Sequence, residues 1–83
     1  MMMNHLEFMK QFRGYPSWDI ETRDEALKIV LDAYAKEYQL ITNIPEVISD
    51  IKKTIETDIQ HYLYLEEYEI CTLLRDLKQD LLD

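Results

Sequence analysis

Eighty-three residues are enough for one modest core and too few for two, and a hydrophobic fraction of 47% is sufficient to fill it. Only 9 Lys and Arg stand against 17 Asp and Glu, so the formal charge of −8 repels both a phosphate backbone and an anionic membrane surface and excludes nucleic acid and membrane as partners. One glycine, two prolines and a lone cysteine leave few means for tight reversals, a disulfide framework or a CxxC metal site; they favour an all-α domain spanning residues 1–83 in a reducing, cytoplasmic setting.

The opening MMMNHLEFMK has neither a long apolar run nor a small-residue cleavage pattern and reads as a chain end rather than a signal. No segment approaches the roughly 18 apolar residues of a membrane span. Leu6, Met9 and Phe12, with Phe8 widening the stripe, predict a short amphipathic helix over residues 4–13. GYPSWD then interrupts it: Gly14 is available for positive φ, Pro16 restrains Tyr15, and Ser17 or Asp19 offers an oxygen to the following backbone. Tyr15 and Trp18 are expected to fold back over the core.

Thr22 followed by Glu25 has the form of a capping box and predicts a second helix over residues 23–41. Its apolar face carries Leu27, Val30, Leu31, Tyr34, Tyr38 and Ile41. TNIPE ends it and starts the next, with Asn43 as cap, Glu46 three residues on and Pro45 tolerated in the first turn. The short connection makes these two helices antiparallel neighbours.

From Pro45 to the end there is no further glycine or proline, and the stripe of Val47, Ile48, Ile51, Ile55, Ile59, Tyr62, Leu63, Ile70, Leu73, Leu77 and Leu81 runs through one interruption. A continuous helix over residues 45–82 would be about 57 Å long, twice the roughly 28 Å of the second helix. Either it breaks near residues 64–67 to give a four-helix bundle, or it stays continuous and its second half packs on another copy in a homodimer. Glu66 falls near the middle of the apolar stripe, where an unpaired carboxylate is expensive, and must lie in a break, meet water or be paired.

HYLYLEEYEIC, residues 61–71, is the candidate contact surface. On a helical wheel Tyr64, Tyr68 and Cys71 share an arc opposite the stripe, extended by His61. Tyrosines at such a position are either core, if the helix is sandwiched, or a contact area that costs little side-chain entropy to order. With Glu67 and Glu69 as an acidic rim, His61, Tyr64, Glu67, Tyr68 and Glu69 form a protein-binding site suited to a partner with a basic surface.

Catalytic constellations are sparse. Asp58 and His61 share a helix face as DIQH, but two ligands are too few for a dimetal bundle, and no cofactor or metal is called for. Cys71 reads as a buried thiol and His5 as a surface residue. EEYE followed by Asp76 and Asp80 resembles the acidic helical pattern of the all-α nucleotide pyrophosphatases, which implies magnesium held by paired carboxylates; the resemblance covers about fifteen residues, and a solvated acidic face relieved by Arg75 and Lys78 accounts for the same pattern. The leading reading is a non-enzymatic acidic binding module, such as an inhibitor, an immunity-type protein or an adaptor. The alternative is an assembly subunit that homodimerises through its last helix.

Overall fold

The computed structural model describes residues 5–36 and 44–82. Among them are four α-helices and no strand: α1 (His5–Lys10), α2 (Ile20–Lys36), α3 (Ile44–Tyr64) and α4 (Tyr68–Leu82), with a single 3-10 turn, Tyr15–Ser17, between α1 and α2. The expected all-α bundle is present, and the long C-terminal segment is broken.

α1 is shorter than the expected span because the chain tightens after Lys10. Phe12 N–H donates to the Met9 carbonyl, Arg13 to Lys10 and Tyr15 to Phe12, all three residues back. At three residues per turn, positions three apart eclipse one another. Met9, Phe12, Tyr15 and Trp18 therefore fall on one face: the first three are buried and Trp18 is half-buried against them. Phe12 and Tyr15 each meet the Trp18 ring edge-on, at 6.5 and 6.3 Å. Gly14 is required here for space and not for positive φ, since its φ is −81°. A Cβ at this position would lie 2.8 Å from Trp18 Nε1.

α2 begins three residues before the expected start. Asp19, not Thr22, is the cap: its Oδ1 accepts from the Thr22 N–H at 2.8 Å, and hydrogen bonding from the Thr22 side chain, then from its backbone, holds the Asp19 carboxyl below its ordinary range. Ala26, Val30 and Tyr34 form the buried line, flanked by half-buried Leu27 and Leu31. The expected positions Tyr38 and Ile41, and the Asn43 cap, lie outside the described residues. Tyr34, near the end of α2, meets Asp58 in the second half of α3.

α3 ends in a reversal made without glycine. Glu66 adopts φ 61°; its N–H donates to the Leu63 carbonyl at 3.0 Å, and the Glu67 N–H reaches the Tyr62 carbonyl at 2.8 Å. This paired pattern is the Schellman motif, in which a left-handed residue lets the chain satisfy the last carbonyls of the helix it terminates. The Glu67 carbonyl then accepts from the Cys71 N–H, so the residue that closes α3 also opens α4. α4 returns antiparallel along α3, because the contacts step in opposite directions: Cys71 Sγ lies 3.6 Å from the Ile59 carbonyl and Lys78 Nζ lies 2.9 Å from Glu56. The molecule measures 36 × 27 × 23 Å, too short for an unbroken C-terminal helix.

The core sits between this hairpin and the N-terminal half. Ile51, Ile55, Ile59 and Tyr62 of α3 face Ile70, Cys71, Leu73, Leu74 and Leu77 of α4, and no buried polar or charged residue occurs among the described residues. A left-handed conformation costs a non-glycine residue about 1–2 kcal/mol, partly offset by the extra freedom glycine has in the unfolded chain. Glu66→Gly is therefore expected to stabilise the fold by about 0.5–1 kcal/mol, a rise in Tm of about 2–8 °C in a thermal melt. An unchanged or lower Tm would contradict the role assigned to Glu66.

Candidate functional site

The reversal divides the predicted contact surface between two helices. Tyr64 is the last residue of α3 and Tyr68 the first of α4, with residues 65–67 as the corner between them. Tyr64 is 85% exposed, Tyr68 60% and Leu65 40%. His61, Glu66 and Glu69 are exposed as well. Cys71, which shares the tyrosines' arc on a continuous wheel, goes the other way: it is buried against α3, and burial pushes its thiol pKa up. The wheel left the tyrosines off the core stripe but grouped Cys71 with them; Tyr68 and Cys71 share α4 three residues apart, and Cys71 lies at the edge of the face that α4 buries while Tyr68 lies beyond it.

Glu67 has a different role from the one expected. Its carboxylate is gripped by the Arg13 guanidinium through two bonds, Nε to Oε2 at 3.0 Å and Nη2 to Oε1. The fork matches the geometry of a carboxylate and holds the Glu67 carboxyl below its ordinary range. Glu67 ties the end of the N-terminal segment to the corner, and the carboxylates left facing solvent there are Glu66 and Glu69.

The three buried tyrosines show what the exposed ones lack. Tyr15 donates its hydroxyl to Asp76 at 2.7 Å, linking the 3-10 turn to α4. Tyr34 donates to Asp58 at 2.5 Å. The Tyr62 hydroxyl lies 2.5 Å from His5 Nδ1, while His5 Nε2 faces the same Asp58 at 3.8 Å. Asp58 can only accept, so the arrangement is satisfied with the Nε2 proton toward Asp58 and Nδ1 accepting from Tyr62. Each buried ring puts its apolar body in the core and its hydroxyl on a polar partner at the edge, as burial of a tyrosine requires. Burial, with nearby carboxylates, pushes the Tyr15 and Tyr62 hydroxyls up.

Two sequence readings are corrected by this network. His5 is not a free surface residue: it is half-buried and joins α1 to α3, stacked on Tyr62 at 5.8 Å and edge-on to Tyr34 at 5.5 Å. Asp58 and His61 do not form a pair, since Asp58 is engaged by Tyr34 and His5, whereas His61 stays exposed beside the Tyr62 ring. An i, i+3 spacing within one helix says nothing of what a different helix delivers.

The carboxylates of the pyrophosphatase-like pattern are also dispersed. Glu66 and Glu67 precede α4, Glu67 is held by Arg13 and Asp76 by Tyr15. Among the described residues no group of three or more His, Cys, Asp or Glu side chains is placed to hold a metal ion. A shallow cleft of about 210 Å³ between α2 and α4, unforeseen in the sequence, is lined by Tyr15, Arg23, Asp24, Asp76 and Asp80 among others. Arg23 Nε is buried there without a protein acceptor, and the cleft is roomy enough to supply one as water.

No protein-family model, curated protein or solved structure matches the chain. No described helix is long and apolar enough to cross a membrane.

His5→Ala leaves the buried Tyr62 hydroxyl unpaired and is expected to cost about 1–3 kcal/mol in denaturant unfolding, whereas adding Tyr62→Phe to it should recover part of that loss. Strict additivity of the two substitutions would show that the pair is not coupled.

The acid limb of stability has a definite sign. Glu67, Glu56 and Asp19 are all depressed in the folded chain. Each therefore contributes stability that is present above its unfolded pKa, about 4 for such carboxylates, and lost as pH falls through the lower folded value. Unfolding free energy should decline below about pH 4.5, and Arg13→Ala, which removes the partner of Glu67, should make that decline shallower. An identical pH profile for the variant would rule out the fork as a contributor.

Proposed function

We propose that the protein is a non-catalytic acidic binding module that recognises a basic surface of another protein through the α3–α4 corner, in the manner of an inhibitor, an immunity-type protein or an adaptor. The observation that carries this reading is the contrast among the tyrosines. Tyr15, Tyr34 and Tyr62 bury their rings and bond their hydroxyls, whereas Tyr64 and Tyr68 expose most of their surface on either side of one reversal. Exposed tyrosines on a fixed backbone offer large contact area at small entropic cost and are enriched among residues that dominate binding energies.

The charge supports the choice of partner. With a net −8, the molecule attracts a cationic surface at long range, and Glu66 and Glu69 stand beside the tyrosines to orient it. Glu67 acts from behind, holding the corner through Arg13. His61, one turn before Tyr64, completes the contact area.

Affinity capture with the native protein should identify the partner, and Tyr68→Ala should weaken that complex by about 2 kcal/mol or more while leaving helicity and Tm nearly unchanged. Glu69→Lys should mainly slow association, and rising salt should do the same. Undiminished binding by folded Tyr64→Ala and Tyr68→Ala would remove the corner from consideration and direct attention to Asp24, Asp32 and Lys36 of α2.

A further inference from the structure

The α3–α4 corner is built from residues that favour the opposite conformation. Leu65, Glu66 and Glu67 are strong helix formers, and the chain has no glycine or proline after Pro45. Yet Glu66 is held at φ 61°, a region that favours glycine. The apolar pattern also ignores the corner. On one straight helix Ile55, Ile59, Tyr62, Ile70, Leu73 and Leu77 would all lie within about 40° of a common line, as though the segment had been patterned without a turn. All six are buried in the hairpin, where α4 packs on the face of α3 that this line marks.

We infer that residues 65–67 are a hinge through which two copies of the chain exchange α4. In the exchanged form α3 and α4 join into one helix, which strips each α4 from its own α3, and a second copy supplies the missing helix to the same seat. The interface is self-complementary and closes by two-fold symmetry, because it reuses the contacts of the hairpin. The Glu56–Lys78 ion pair and the Cys71 contact with the Ile59 carbonyl become contacts between chains. A connection of three residues under backbone strain is the kind of hinge that invites such exchange. Two links oppose opening: the Arg13 fork on Glu67 and the Tyr15 bond to Asp76.

Glu66 sets the balance. In the hairpin its carboxylate is in water at the cost of a strained backbone. In the straight helix the backbone is relaxed, but position 66 falls at the centre of the apolar line, where a carboxylate loses its hydration. Substitutions there must act in opposite directions. The corner that presents Tyr64 and Tyr68 exists only in the hairpin, so exchange would dismantle that surface; the exchange itself does not depend on whether the surface binds a partner.

Glu66→Leu, refolded at millimolar concentration, should double in mass from the 10.0 kDa monomer by light scattering. Glu66→Ala, which is smaller and also restores helix propensity, is the second arm and should shift the same way. Glu66→Gly should remain monomeric under identical conditions. Exchange is separated from simple side-by-side association by refolding normal and heavy-nitrogen chains together and treating the dimer with a zero-length carbodiimide cross-linker. Glu56–Lys78 cross-links joining chains of different label are the expected result. The proposal is overturned if both the Leu and Ala variants stay monomeric, or if the cross-links in their dimers join residues of the same chain only.

Discussion

The reversal at residues 65–67 sets the length of the molecule, the partner of every buried residue on α4 and the position of the two exposed tyrosines. It exists because Glu66 accepts a left-handed backbone, and that allows the Glu66 and Glu67 amides to satisfy the Leu63 and Tyr62 carbonyls. Without these bonds the end of α3 would leave carbonyls unsatisfied next to the core. The usual hydrophobic contact across a Schellman motif is replaced by an ionic one: Glu67, the residue just past the left-handed position, is held by Arg13. The turn is consequently braced from the N-terminal segment and not only from its own two helices.

That bracing explains why the first fourteen described residues matter out of proportion to their helical content. α1 has only six residues and would not persist alone in water. It is kept in place by side chains of the segment reaching three other elements: His5 to α3, Arg13 to the corner and Tyr15 to α4. Met9 and Phe12 fill the space between these links as buried apolar residues. The polar links lie at the margins, so the hydroxyls of Tyr15, Tyr34 and Tyr62 are paired while the interior stays apolar.

Much of the helical layout was legible in the sequence, and the limits of that reading have physical causes. The three-four spacing found most of the apolar faces of α2, α3 and α4, with Ile48 exposed where the stripe had it, and Glu66 in the middle of the stripe made a break one of two readings, because a carboxylate there has no good place on a straight helix. The N-terminal cap of α2 was misplaced. Asp19 and Thr22 both suit the role, and only the path of the preceding chain, set by Trp18 folding over Gly14, decides between them. The His5 network was illegible because its four members lie on three helices. Sequence spacing reports neighbours along one helix and is silent about neighbours across two. Whether Tyr64 and Tyr68 are core or surface was left open in the sequence, because a wheel places them off the main stripe without saying what a neighbouring helix covers.

What distinguishes Tyr64 and Tyr68 from the other described tyrosines is therefore their relation to the turn. Tyr62 precedes Tyr64 by two residues on α3, about 200° around the helix, so when one faces the core the other must face away. Tyr68 opens α4 two residues before buried Ile70 and is turned outward by the same geometry. Burying Tyr62 and Ile70 thus dictates the exposure of both tyrosines, and the choice of tyrosine over a polar residue at these outward positions is not required by the fold. In a chain this rich in Asp and Glu, two large rings left at solvent on opposite sides of a braced turn add little to the core, and the fold alone gives no reason for tyrosine at either position.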